Sequence, residues 1–238
     1  MKKKPPLEID ILTLFPGMFA GPFRESMIRL AKKKGLVKIR VRDLRKYTQD
    51  KHRKCDDKPY GGGPGMVMMA QPIFDAVDAL RKKKTTVVLL SPQGEPFTQK
   101  LAGEMARAER LILICGHYEG VDERVSEHLV DREVSIGDFV LTGGELPAMC
   151  LVDSVVRLVP GVVGNADSIN EESFQNGLLD FPHYTRPRVF RGWEVPEVLA
   201  AGDHKKVSCW RKEQAHLTTR KRRPDLLQEK GINNKDFV

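Results

Sequence analysis

Hydrophobic positions along this chain switch between a period of two and a helical period, and the switches mark its elements. Leu7–Leu14 (LEIDILTL) alternates and then turns apolar, which predicts a strand entering a core. Phe15-Pro16-Gly17 turns the chain. Phe23, Met27, Leu30 and Ala31 then fall on one helical face that ends at Gly35. Val37, Ile39 and Val41 alternate with Lys38, Arg40 and Arg42, the pattern of a half-buried strand. Further on, Pro72–Arg81 predicts a helix with Ile73, Phe74, Val77 and Leu80 on one side. Thr86–Leu90 is a buried strand ended by Ser91-Pro92-Gln93-Gly94, and Thr98–Ala108 holds a helix with Leu101 and Met105 inward. Leu111–Cys115 is another buried strand, ended by Gly116-His117-Tyr118-Glu119-Gly120. A short helix at Asp122–Leu129 and a short strand at Arg132–Ser135 follow. Leu146–Val159 is a helix apolar nearly all round, which places it in the interior or at a subunit interface.

Strands alternating with helices predict an α/β domain with a mostly parallel sheet. In such sheets ligands bind beyond the carboxyl ends of the strands. Three of those ends are SPQG, GHYEG and SIGDFVLTGGELP. Tyr47–Gly65 is a long loop inside the domain, a length that is often functional. Pro160–Asn176 reads as a linker. From Gly177 the chain becomes Pro-rich and basic and carries both tryptophans. There Val207, Trp210, Gln214 and Leu217 line one side of a helix before Arg220–Arg223. The expected organisation is residues 1–163 as the α/β domain, 164–176 as linker and 177–238 as a small helical domain.

Charge changes this picture through its distribution. The 238 residues carry a formal net charge of +8. Residues 24–58 hold fourteen Lys/Arg against five Asp/Glu, and residues 177–238 hold thirteen against eight. Residues 59–176 reverse the balance, with ten against seventeen. An acidic middle suits a cationic small ligand, and basic flanks suit phosphates. Solvated helix faces explain Lys32–Lys34 and Lys82–Lys84. The four cysteines lie far apart with no C-x-x-C pair, which argues against a zinc ribbon or a disulfide framework and fits a reducing cytoplasm. Met1–Lys4 is basic like the start of a signal peptide, but Pro5, Pro6, Glu8 and Asp10 break the apolar run a signal needs. No stretch is long and apolar enough to span a membrane.

Gly61–Met66 (GGGPGM) lacks the Lys-Ser/Thr of a P-loop and the spacing of a dinucleotide fold, so it reads as a flexible loop over a substrate or an ordinary glycine turn. The six histidines do not pair at metal-ligand spacing, and His117 either orients a loop or faces solvent. There is no G-x-S-x-G elbow and no cysteine with an evident partner. Arg157 stands out on its apolar helix, four residues after Asp153. An intrahelical pair and a guanidinium aimed at a ligand fit equally well. Asp167, Glu171 and Glu172 follow on the linker, where a carboxylate can take a proton from a substrate.

These residues also carry a resemblance. The chain resembles the bacterial tRNA (guanine-N1)-methyltransferases of the knotted SPOUT superfamily through LFPGMF (Leu14–Phe19), DDKPYGGGPGM (Asp56–Met66), LLSPQG (Leu89–Gly94), ICGHYEGVDERV (Ile114–Val125), SIGDFVLTGGELPAM (Ser135–Met149) and GLLDFPHYTRP (Gly177–Pro187). The stretches run in family order over nearly the whole chain. The resemblance implies a deep trefoil knot in the N-terminal domain with S-adenosylmethionine bound in it. Its walls would be Leu89, Leu90, Ser91 and Pro92; then Gly116, Tyr118 and Glu119; then Ser135, Ile136, Gly137, Asp138, Phe139, Val140 and Leu141 with Gly143, Gly144 and Pro147. It implies an obligate homodimer with active sites astride the interface, a magnesium ion, and a cytoplasmic enzyme. Its substrate would be the tRNA guanine at position 37, when another guanine precedes it.

By the same resemblance Arg157 stabilises charge on the guanine O6. The general base of the family is usually an aspartate in an acidic-Asp-Ser-Phe context. Here that context reads Glu171-Glu172-Ser173-Phe174, which makes Glu172 the expected base and Asp167 the fallback. Phe139 stands where a tyrosine is frequent. Asp180, His183 and Arg186 are expected near the target base, and Asp56 and Gly65 on the loop that closes over it. A ribosomal-RNA methyltransferase and a non-catalytic RNA-binding protein are rival readings, and a phosphate-loop nucleotide hydrolase is a third, against which the missing Lys-Ser/Thr speaks.

Overall fold

The strands read as nearly continuous apolar runs because both faces of the sheet are covered. The computed structural model describes residues 5–164 and 172–228; the fallback base Asp167 and the linker carboxylate Glu171 lie outside the described residues. The chain divides into two compact units, Met1–Gly164 and Asn165–Val238. The first contains β1 (Leu7–Thr13), α1 (Ser26–Lys33), β2 (Val37–Asp43), β3 (Asp56–Asp57), β4 (Val67–Met68), α2 (Ala70–Leu80), β5 (Thr85–Pro96), α3 (Gln99–Met105), β6 (Arg110–Cys115), α4 (Glu123–His128), β7 (Arg132–Ser135) and α5 (Glu145–Arg157). Five strands form an all-parallel sheet in the order β2-β1-β6-β5-β7. On one face Ile9, Ile11, Val88, Leu90, Leu111 and Leu113 meet the apolar sides of α1, α3 and α5. On the other, Leu12, Val87, Leu89, Ile112 and Ile114 meet α2 and α4.

Three details of the first unit depart from the expected elements, the first being that β3 pairs with β4 from inside the stretch expected as a loop. Ser91–Gly94 does not end β5: the strand continues to Pro96 and pairs again with β7 from Glu95, after a register shift. On α1 the inward residues are Ile28 and Ala31, while Leu30 is exposed. The apolar period there is short, and a one-residue rotation satisfies it equally well.

The second face is charged at the amino ends of the strands. Asp10 is fully buried and Arg110 is 6% exposed. The Arg110 guanidinium bridges Glu8 and Asp10, Arg42 Nε donates to Asp10 Oδ1 at 2.9 Å, and Arg40 Nη1 donates to Glu8 Oε2 at 3.2 Å. Parallel register places Glu8 opposite both Lys38 and Arg110, so the cluster follows from strand pairing. Burial works to raise the Glu8 carboxyl. The hydrogen bond and charge of Arg40, with the charges of Arg110 and Lys82, outweigh it and hold the group below 4.5.

The second unit holds a two-stranded hairpin, β8 (Val189–Phe190) and β9 (Trp193–Glu194), then α6 (Glu197–Ala200), α7 (His204–Arg222) and α8 (Asp225–Gln228). Asp203 caps α7 by accepting from the Lys205 and Lys206 amides. Val207, Trp210 and Gln214 are half-buried as expected, but Leu217 is 43% exposed and Thr219 is the fully buried residue. Thr219 earns its place by hydrogen bonding: its hydroxyl donates to the Ala215 carbonyl at 2.7 Å and accepts from the Leu179 amide at 2.8 Å. That ties the GLLD segment to the helix.

Removing one member of a buried charge group strands the others without water or partner, which costs about 3–5 kcal/mol. Asp10→Ala is expected to lower unfolding free energy by that amount in urea titrations, and Arg110→Met in the same background should recover part of it. Glu8 binds its proton less readily when folded, so it adds stability above about pH 4.5 that is lost as pH falls through the depressed folded value. Glu8→Gln should therefore flatten the acid limb of the stability–pH curve between pH 3 and 5.

Candidate active site

The carboxyl ends of β5, β6 and β7 open onto one cavity of about 410 Å³. Its walls are Leu89–Gln93, Gly116–Val121, Glu133–Gly137, Phe139–Gly144 and Pro147, with Glu123 and Ser126 of α4. The residues expected to wall a ligand site all lie on this surface except Asp138, which is not among the lining residues. Its neighbours Gly137 and Phe139 take the wall instead, because the chain turns at Gly137 (φ 150°) and the Phe139 amide folds back onto the Gly137 carbonyl at 2.9 Å.

Close backbone approach builds the cavity floor. The Gly144 amide donates to the Gly116 carbonyl at 2.8 Å, and His117 bridges Gly143. A Cβ on Gly144 would lie 2.8 Å from Cys115 Cα and 2.9 Å from the Gly116 nitrogen. Gly94 has a comparable constraint that the sequence pattern did not reveal: a Cβ there would lie 2.3 Å from the Val134 nitrogen. Directly after Gly144, Glu145 begins α5 with its side chain in the interior, 1% exposed. Thr13 donates to Glu145 Oε1 at 2.7 Å, and His117 Nδ1 lies 4.0 Å from Oε2. His117 packs between Phe15 and Tyr118, with ring centroids at 4.7 and 4.8 Å. It therefore orients the loop, one of its two expected roles, and it also lines the cavity.

The long loop is stitched to the second wall. The Glu119 amide donates to Met66, Met68 to Gly120, and Asp122 to Met68, at 3.1, 2.9 and 2.9 Å. Gly65 (φ 87°) sits against the Glu119 side chain, where a Cβ would collide with it. Tyr118 holds a left-handed backbone (φ 61°), a strained conformation for an aromatic residue. Its phenol is raised above 10.0, by burial first and then by the charge of Asp56. Asp56 and Gly65 thus belong to the surroundings of Tyr118 and Glu119, while Tyr60 at the loop tip is fully exposed.

Charge on the cavity wall is one-sided. Among the described residues the lining includes Glu119, Glu123 and Glu133 and no lysine or arginine. Cys115 beneath it is fully buried, and burial together with the nearby Glu145 pushes its thiol well above 9.0, which leaves it inert as a nucleophile. Arg157, on the last turn of α5, is half-buried and Asp153 is exposed. The helix is less uniformly buried than its composition suggests, since Leu146, Cys150 and Asp153 form an outward stripe.

Within the second unit, Asp180 and His183 come together: Nε2 and Oδ2 are 2.9 Å apart. The Asp180 amide donates to Ser173 Oγ at 2.9 Å, next to Glu172, and the Gln175 amide reaches the Glu172 carbonyl at 3.3 Å. Arg186 is exposed on the following segment. Sequence reasoning missed Gln93, His117, Gly120, Val121, Glu123, Ser126, Glu133, Val134 and Thr142 on the cavity wall. Only adjacency to the three strand ends signals them.

A family model described as tRNA (Guanine-1)-methyltransferase TrmD matches residues 7–229. The chain belongs to this family. A tRNA (guanine-N(1)-)-methyltransferase of Carboxydothermus hydrogenoformans is 54% identical over 232 residues, covering 98% of this chain and 92% of the relative. Proteins of the same name from Dictyoglomus turgidum and Bacillus cereus are 55% and 56% identical, over 97% of this chain and 94% and 96% of theirs. Membership of a methyltransferase family implies use of S-adenosylmethionine. No helix among the described residues is long and apolar enough to cross a membrane.

The Gly144 contact is with backbone atoms that cannot rotate away. Gly144→Ala is expected to destabilise the protein by about 1–3 kcal/mol, read as a lower midpoint in urea. Gly143→Ala meets Glu145 and His117, both held in place, and the Gly116 carbonyl, so it should cost a comparable amount.

Proposed function

We propose that this chain methylates N1 of guanine 37 in tRNAs, 3′ of the anticodon, when a guanine precedes it, using S-adenosylmethionine. The observation that carries the reading is the cavity at three parallel strand ends, lined among the described residues by carboxylates and no lysine or arginine, in a chain of a tRNA methyltransferase family. Its volume lies within the roughly 300–1,000 Å³ of small-molecule sites. Backbone groups at Leu89–Pro92, Gly116 and Gly137–Gly144 suit a purine edge, and three glutamates suit a cationic ligand. S-adenosylmethionine supplies an electrophilic methyl group when bound.

The remaining chemistry falls to side chains. Guanine N1 carries a proton, and its lone pair is delocalised into the ring carbonyl. Removing the proton places negative charge on N1 and O6. Glu172 accepts that proton, and the Arg157 guanidinium stabilises the charge at O6 by a charge-assisted hydrogen bond. Glutamate keeps the carboxylate of the usual aspartate but adds a methylene. Asp180, His183 and Arg186 act near the target base, with Asp56 and Gly65 on the loop that closes over it.

The return of the chain from β7 to the end of β6 through Gly143 and Gly144 supports a trefoil knot around the cofactor. The exposed stripe of α5 supports a homodimer. We keep the division into a methyltransferase domain, linker and tRNA-binding domain, and a cytoplasmic setting, as parts of this reading. The implied magnesium ion finds no cluster of three ligating side chains among the described residues, and no step is assigned to it.

Labelled methyl should pass to a tRNA with guanines at positions 36 and 37, map to N1, and not pass to ribosomal RNA. Glu172→Gln should slow single-turnover transfer by about 100-fold or more while cofactor affinity stays unchanged. Near-normal transfer would move the role to Asp167, tested by Asp167→Asn.

A further inference from the structure

The hairpin of β8 and β9 is exposed on both faces, yet it is tightly specified. Phe190 pairs directly with Trp193 and Val189 with Glu194, and the Val195 amide closes the ladder on the Arg188 carbonyl at 3.0 Å. The connection is Arg191-Gly192, with φ values of 53° and 86°. Two positive φ values are what a two-residue type I′ hairpin turn requires. Because they pair across the ladder, Phe190 and Trp193 share one face, ring centroids 6.4 Å apart, and the Arg191 guanidinium lies 5.3 Å over the Phe190 ring. Phe190 is 55% exposed and Trp193 is 70% exposed. An isolated two-stranded ribbon is marginal in water, and a large exposed aromatic pair marks a surface that is covered in use.

Charge selects the covering partner. Arg191 lies over the Phe190 ring and Arg188 directly precedes β8, with Glu194 the only carboxylate on the hairpin. Aromatic faces interleaved with arginines fit unpaired nucleotides, since bases stack on the rings and guanidinium groups meet the phosphates. A duplex offers free base faces only at its two ends. We infer that the Val189–Glu194 hairpin is a stacking platform for unpaired bases of the substrate RNA, Trp193 and Phe190 taking the bases and Arg188 and Arg191 the phosphates. This rests on the tRNA reading above and adds to it a surface outside the residues placed near the target guanine.

The chain has two tryptophans, so Trp210→Phe leaves Trp193 as the only one. In that variant, tRNA carrying guanines at 36 and 37 should quench Trp193 fluorescence, and a long RNA duplex, with base faces free only at its ends, should quench far less at equal nucleotide concentration. Stacking on one base is worth about five- to a hundredfold in affinity. Trp193→Ala should therefore weaken tRNA binding about tenfold, Trp193→Phe should retain most of it, and S-adenosylmethionine affinity should stay unchanged in both. Unchanged tRNA affinity in Trp193→Ala would overturn the inference. So would an equal loss of duplex binding, or a change in sedimentation showing that a second copy of the chain covers the hairpin. Methylation by the wild type is measured alongside: if it occurs while Trp193→Ala binds normally, only the hairpin assignment fails, and if it is absent, the tRNA reading fails with it.

Discussion

The approach of Gly144 to the end of β6 is the constraint on which the first unit depends. The hydrogen bond to the Gly116 carbonyl leaves no room for a side chain, and it fixes where α5 begins. Once α5 begins there, Glu145 must enter the interior, where Thr13 at the end of β1 meets it. The His117 ring is then held between Phe15 and Tyr118. One backbone contact thus sets the third cavity wall against the second, at the end of the central strand β6, and ties both to β1. Gly94 does the corresponding work between β5 and β7. The cavity is therefore a product of backbone packing at strand ends, and its side chains are free to set charge.

That charge is segregated in a way that suits two unlike ligands. Among the described residues the cavity wall carries glutamates and no lysine or arginine. The basic residues of β2 are partly neutralised by Glu8 and Asp10 at the opposite ends of the strands. In the second unit, Arg186, Arg188 and Arg191 stay exposed. A small cationic ligand and a polyanion would compete for the same surface if these signs were mixed, since attraction for one is repulsion for the other.

Much of this was legible because a parallel sheet buried on both faces leaves apolar runs that few other structures produce. The strands, the three terminal loops and most of the cavity wall follow from those runs and the turn residues between them. What escaped depends on partners distant in sequence. Glu8, Asp10 and Arg110 meet only through strand register, across about a hundred residues. The continuation of β5 depends on Gly94 lying against β7. Thr219 took the buried position expected of Leu217 because its hydroxyl satisfies two backbone groups at once. The hairpin was hidden for another reason: its strands are two residues each, too short for alternation to register, although Arg191-Gly192 between aromatic residues is a turn signal.

The glutamate at the proposed base position can be weighed against its surroundings. Ser173 is held by the Asp180 amide, Phe174 takes a left-handed backbone (φ 73°) and its amide bonds the Leu178 carbonyl at 2.7 Å. The backbone that carries Glu172 therefore runs into a tight, hydrogen-bonded turn, and it has little freedom to retreat by the length of one methylene. The extra reach has to be absorbed by side-chain torsions. Ordering one more rotatable bond at the moment of proton removal adds entropy cost to the chemical step. On the proposed assignment of Glu172 as the base, ground-state binding of cofactor does not involve that bond, so the extra methylene would act on turnover and leave the cavity unaffected.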